Sequence, residues 1–147
     1  MRVIIDTNIA FSAILNANSQ FANIILKSKT GLHFYSTDLL RIEINEHKQK
    51  LKKLAGYTDS ELNKMIAVIT GKIRFIDASL IPHQVLLTTE KLLSDIDIDD
   101  TEFVALATHI HGRLWSGDKI LQKGLKEKGW NKFVSTNELY GLVHKKR

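Results

Sequence analysis

Short β-branched or aromatic runs alternate along this chain with longer helical patterns, which predicts an α/β fold in which βα units wind into a parallel sheet. Three observations carry that expectation. Residues 2–5, Arg-Val-Ile-Ile, form a compact, largely apolar run closed by Asp6. Similar short runs recur at 33–35, 74–76, 114–115 and 133–134. Between them lie stretches whose apolar residues return every three or four positions.

The elements follow in order. Residues 2–5 read as the first strand, and Thr7 opens a helix through Phe11, Ile14 and Leu15. A second helix carries Phe21, Ile24, Ile25 and Leu26, with Gly31 as its stop signal before the strand His33-Phe34-Tyr35. From about Asp38 the stripe Leu40, Ile44, His47, Leu51 and Leu54 predicts one amphipathic helix. Thr58 and Glu61 have the spacing of a capping box and open a helix through Leu62, Met65, Ile66 and Ile69 to Gly71. Arg74-Phe75-Ile76 reads as a strand, and Pro82, the only proline, opens a helix over Val85, Leu86, Leu87, Leu92 and Leu93. The acidic turn from Asp95 to Asp100 leads into a helix from Thr101 to His111, ended by Gly112. Leu114-Trp115 is the next strand, Lys119 to Lys128 a helix, and Phe133-Val134 the last strand. Ser135 and Glu138 repeat the capping-box spacing and start the terminal helix. No repeat, low-complexity stretch or linker interrupts this succession, so residues 1–147 are expected to form one domain.

Composition narrows the function classes. The 21 Lys and Arg against 16 Asp and Glu leave a formal charge of +5. A positive exterior around an anionic pocket would suit a polyanion, although charge alone equally fits simple solubility. There is no cysteine, which excludes disulfides and thiolate metal sites. No apolar run approaches the ~18 residues that span a bilayer, and Met1 leads directly into Val3-Ile4-Ile5 without a leader-like stretch. The chain is therefore expected in the cytoplasm, used from its first residue and with no membrane partner.

Four carboxylates carry the chemistry. Asp6 and Asp118 each follow a strand, and parallel sheets bind ligands beyond the carboxyl ends of their strands, so both acids are expected at one sheet edge. Helix capping is the competing explanation for each taken alone. At 100° per residue, Asp100 lies within about 40° of Val104 and Ala107 and starts a buried stripe, whereas Glu102 is turned about 160° away toward solvent. Asp99 is the better helix cap and Asp97 a loop acid with at most an outer contact. Glu43 lies within about 60° of Leu40 on the flank of its helix's apolar stripe, where a structural ion pair is the alternative. An inward carboxylate costs on the order of several kcal/mol unless neutralised, and a divalent cation is a partner that all four can share.

These residues carry a resemblance. Asp6-Thr7-Asn8 after an apolar strand, Glu43 six residues beyond Thr37, Asp100-Thr-Glu-Phe-Val-Ala-Leu-Ala, and Ser116-Gly117-Asp118-Lys119 resemble, in this order, the PIN-domain nucleases, which include the VapC-type toxins of toxin–antitoxin pairs. The resemblance implies a single-domain α/β/α fold with a central parallel sheet and a metal-dependent endonuclease, usually directed at RNA. It makes Asp6, Glu43, Asp100 and Asp118 the acidic cluster, with Asn8 and Ser116 as small polar supports. Segment 58–95 is longer than in the compact toxins.

Hydrolysis of a phosphodiester needs an activated water, in-line geometry and charge neutralisation, all of which carboxylate-held Mg²⁺ or Mn²⁺ can supply. Asp6 is expected to contact the principal metal, and Asp100 and Asp118 to complete its shell directly or through water. Glu43 is expected to orient the attacking water or assist a second ion. The implied partners are single-stranded RNA and an antitoxin protein, with a homodimer allowed. Lys48, Lys50, Lys52 and Lys53 form one basic patch, Lys119, Lys123, Lys126 and Lys128 another, and Lys145-Lys146-Arg147 a basic tail. Lys119, beside Asp118, is the first candidate for substrate contact. The histidines lack the i, i+4 pairing of a zinc site and are expected to pack or face solvent. Three other readings stay open: a haloacid-dehalogenase-like phosphatase, which would need an acid where Asn8 stands; a phosphoreceiver domain; and a catalytically silent RNA- or protein-binding PIN module.

Overall fold

The computed structural model describes residues 1–28 and 31–144. Its centre is a sheet of β1 (Arg2–Ile5), β2 (His33–Thr37), β3 (Ile73–Ile76), β4 (Arg113–Trp115) and β5 (Phe133–Val134). All four pairings are parallel and the order is β3-β2-β1-β4-β5. β1 is central, and its neighbours were reached by winding first one way and then the other. Val3, Ile4 and Ile5 of β1 and Leu114 and Trp115 of β4 are fully buried. That explains why these strands read as continuous apolar runs rather than as alternating ones.

Helices cover both faces. They are α1 (Thr7–Leu15), α2 (Gln20–Lys27), α3 (Asp38–Glu46), α4 (Lys48–Ala55), α5 (Asp59–Thr70), α6 (His83–Leu93), α7 (Thr101–His109), α8 (Lys119–Glu127) and α9 (Thr136–Val143). α7 packs on β1, β2 and β4 and carries α6 behind it, whereas α1 is packed among α2, α3, α4 and α5, and α2 against α9. Phe103 through Ala107 of α7 are all buried, so this helix is enclosed on all sides rather than presenting a narrow stripe. Trp115 fills the opposite layer between Phe21 and Phe34, with ring centroids 6.2 and 6.3 Å away. Its indole N–H donates to Thr136 Oγ1 at 2.9 Å, so a large apolar body is buried without orphaning its polar atom.

Both capping boxes form, Thr58 with Glu61 and Ser135 with Glu138. Four local expectations are corrected. The helix expected from Asp38 through Leu54 is two helices broken at His47 (φ −105°, ψ 14°), and the bend leaves Leu54 64% exposed instead of buried. α2 stops at Lys27, before Gly31, whose φ of 103° serves the turn into β2 instead. Asp99 does not cap α7, because Ile98–Asp100 forms a 3-10 turn capped by Asp97, whose side chain accepts from the Asp99 N–H. Glu102 is half-buried rather than turned fully to solvent. Among the described residues no single helix is long and apolar enough to cross a membrane.

Gly112 follows α7 and runs under β1. A Cβ there would meet Ile4 Cδ1 at 2.5 Å and the Arg2 carbonyl oxygen at 3.0 Å. Gly112→Ala is expected to lower unfolding stability by roughly 1–3 kcal/mol through overpacking. Gly141→Ala, in α9 with nothing within 4 Å of the added carbon, is expected to raise it by roughly 0.5–1 kcal/mol. Urea denaturation of the two variants checks both signs.

Candidate functional site

The site lies where the carboxyl ends of β1 and β4 meet, at the point where the winding direction reverses and a crevice opens in such sheets. Asp6 continues β1 in extended backbone and becomes the N-cap of α1, its Oδ1 accepting from the Ile9 N–H at 2.9 Å. Asp118 caps α8 in the same way, one oxygen accepting from the N–H groups of Ile120 and Leu121, both at 3.0 Å. Capping and ligation are therefore compatible. Each helix start fixes one carboxylate oxygen and thereby aims the other. Ser116, buried at the end of β4, accepts from the Asp118 N–H at 3.1 Å, and Gln122 Nε2 donates to the Ser116 carbonyl at 2.7 Å. The loop that delivers Asp118 is thus held from both sides.

The third acid arrives from the 3-10 turn before α7. With three residues per turn, i and i+3 eclipse, so Asp97 and Asp100 project from one side of it. Carboxylate oxygens of Asp97, Asp100 and Asp118 all lie within 4.8 Å of one another. Asp97, given little weight from sequence, is therefore in the tightest group of acids. The overlooked signal was the Asp-x-x-Asp spacing, which is eclipsed in a 3-10 turn but not in the α-helical projection used to place Asp100.

Glu43 comes from α3 and is partly buried. Its Oε1 accepts from Thr7 Oγ1 at 2.8 Å, a contact between the first residue of α1 and the middle of α3. Thr7 was visible in the Asp-Thr-Asn triplet without any signal of its partner. His47 packs its ring 5.5 Å from that of Phe11 and bonds the Glu43 carbonyl through Nδ1 at 2.8 Å, a packing role as expected. Asn8 sits exposed in the first turn of α1, and none of these contacts involves it.

The electrostatics show how closely the acids are brought together. Asp6 is 3% exposed, and burial pushes its carboxyl up to about 6; the Ile9 N–H and the Ser116 hydroxyl oppose the rise, and the charges of Asp118 and Glu43 add to it. Burial pushes Asp100 up to about 7, with repulsion from Asp97, Asp6 and Asp118 adding to it. All four acids singled out from sequence therefore sit at one edge, although Glu43 lies outside the tight group. None enters an ion pair among the described residues, where the pairs are Arg41 with Asp38, Lys52 with Asp59 and Lys128 with Asp95. Lys52 and Lys128 are thereby engaged elsewhere, Lys119 is exposed beside Asp118, and the basic tail Lys145-Lys146-Arg147 lies outside the described residues. An all-oxygen donor set without a basic partner fits a hard divalent cation such as Mg²⁺ or Mn²⁺.

A parallel sheet carrying clustered carboxylates at its switch point defines an α/β domain built around an acidic ligand site. Residues 4–138 match the family model of the PIN domain, and the chain belongs to that family. Its fold is similar to the crystal structure of VapBC2 from Rickettsia felis bound to a DNA fragment from their promoter, with a TM-score of 0.66 over 92% of this chain and 97% of that one at 16% identity. Comparison with the curated proteins gives no match.

Crowded acids with raised folded-state pKa values bind more protons folded than unfolded between about pH 4 and 7. Stability of the metal-free protein is therefore expected to fall as pH rises through that window. Thermal melts in EDTA at pH 5 and pH 8 should show the lower melting temperature at pH 8. Millimolar Mn²⁺, binding the folded carboxylates, should reverse most of the loss, and equal melts with and without the ion would contradict a shared cation site.

Proposed function

We propose that this chain is a Mg²⁺- or Mn²⁺-dependent endoribonuclease that hydrolyses single-stranded RNA and serves as the toxin of a toxin–antitoxin pair in the cytoplasm, folded as one domain over residues 1–147. The observation that supports this best is the convergence of Asp97, Asp100 and Asp118 beside the buried Asp6, in a chain of the PIN-domain family.

Asp6, Asp100 and Asp118 would hold the cation, with Asp97 adding a fourth carboxylate that the sequence alone had placed farther out. A divalent ion bound there would lower the pKa of water and neutralise charge gathering on the scissile phosphate. The chain's residues do the rest. The α1 and α8 N-termini orient the Asp6 and Asp118 carboxylates through backbone N–H groups. Thr7 fixes one oxygen of Glu43, leaving the other to orient the attacking water and accept its proton. Ser116 and Gln122 hold the β4–α8 turn, and Asn8, exposed in the first turn of α1, would serve as a polar support. Lys119, exposed beside Asp118, would contact a neighbouring phosphate, and Lys48, Lys50, Lys53, Lys123 and Lys126 would add to the positive exterior that attracts the polymer. The Rickettsia felis structure is a VapBC2 complex, and the fold likeness to it supports an antitoxin partner here; a homodimer is compatible with this reading.

Incubation with a single-stranded RNA pool is expected to yield cleavage that requires Mn²⁺ or Mg²⁺ and is lost in EDTA. Asp6→Asn and Asp118→Asn should each reduce it at least about 100-fold, since each removes a ligand and its charge. Metal-free Asp6→Asn should melt no lower than the parent, because a repelled carboxylate becomes a neutral amide. Turnover of a small phosphomonoester in preference to RNA would favour the phosphatase reading, and RNA binding without cleavage the silent module.

A further inference from the structure

Thr37 ends β2 and is fully buried, and its Oγ1 is the one buried side-chain polar atom without a hydrogen-bond partner among the described residues. It is also the N-cap of α3, yet its side chain makes no capping bond there, although that is what a threonine at this position ordinarily does. An orphaned buried hydroxyl is unfavourable, and what it faces decides whether it has a use.

The strand register answers that. Ile4 lies opposite Tyr35, and Ile5 opposite Trp115. Continuing both by one or two residues sets Thr37, Asp6 and Ser116 in one row across the sheet, their side chains on the face covered by α7. Ser36 confirms the alignment from the other face, where its Oγ donates to the Ile5 carbonyl at 2.8 Å. Asp6 thus stands between two hydroxyls. Ser116 on one side is engaged with it and with the Asp118 N–H, while Thr37 on the other side is free.

We propose that Thr37 is a positioning residue for Asp6, its hydroxyl donating to the Asp6 carboxylate when that group is held ionised by a bound cation. This rests on the reading of Asp6 as a metal ligand. One rotation of about 120° around the χ1 of a threonine carries Oγ1 to the position held by Cγ2 or by Hβ, so the donor can be turned in without moving the backbone. Hydrogen bonds to the carboxylates that bind a metal commonly set its affinity, and losing one costs roughly ten-fold or more.

The test is Mn²⁺ titration by calorimetry, with metal-free melting temperatures, on the parent, Thr37→Val, Thr37→Ser and Asp6→Asn. The expected result is Mn²⁺ binding about ten-fold weaker in Thr37→Val, near-parental binding in Thr37→Ser, and a metal-free melting temperature in Thr37→Val equal to or above the parent's. Unchanged Mn²⁺ affinity in Thr37→Val overturns the proposal. So does a metal-free melting temperature that drops in Thr37→Val and is restored in Thr37→Ser, which would make the hydroxyl a folding group. If the parent and Asp6→Asn alike bind no Mn²⁺, the metal-ligand reading of Asp6 falls, and the role of Thr37 falls with it; a failure confined to Thr37→Val leaves that reading standing.

Discussion

Mutual repulsion among carboxylates at one end of the sheet is the constraint around which the rest of this molecule is arranged. Asp6, Asp97, Asp100 and Asp118 are gathered by three separate segments, and burial makes their charges costlier than they would be in water. The fold tolerates this because Asp6, Asp97 and Asp118 are anchored by backbone N–H groups rather than by a neighbouring base. Helix N-termini carry partial positive charge, and two of them, at α1 and α8, end against the site. They partly offset the repulsion while engaging only one oxygen of Asp6 and one of Asp118. A lysine or arginine in the same place would neutralise the charge and occupy the ligand position.

The hydrophobic core supplies the rigidity that such an arrangement needs. The ends of β1 and β4 are buried on both faces, and the residues that follow them, Asp6 and Ser116, are where apolar packing gives way to polar chemistry. Trp115, wedged between Phe21 and Phe34 immediately before Ser116, leaves the end of β4 little freedom. The Gln122 bond to the Ser116 carbonyl extends that rigidity into the turn bearing Asp118. Precision at the site thus derives from packing one residue away.

Much of this could be read from the chain because its signals are local. Apolar runs closed by Asp marked β1 and its edge, and the S/T-x-x-E spacings marked α5 and α9. What could not be read depends on geometry that a regular projection misses. Asp97 was undervalued because the turn before α7 winds with three residues rather than 3.6, which swings it onto the side of Asp100. The break at His47 was hidden because Leu51 and Leu54 keep helical spacing across it, although the second half points elsewhere. Thr7 and Glu43 meet across 36 residues, and only the assembled helices bring them together.

The strand order has a temporal corollary. β1 is made before β4, and its Ile5 finds its partner Trp115 only after β2, β3 and the intervening helices have been synthesised. A nascent chain that ends short of β4 carries Asp6 but has neither Ser116 beside it nor Asp118 across the crevice. The acidic edge is therefore incomplete until β4 and the start of α8 have been made and the sheet has closed.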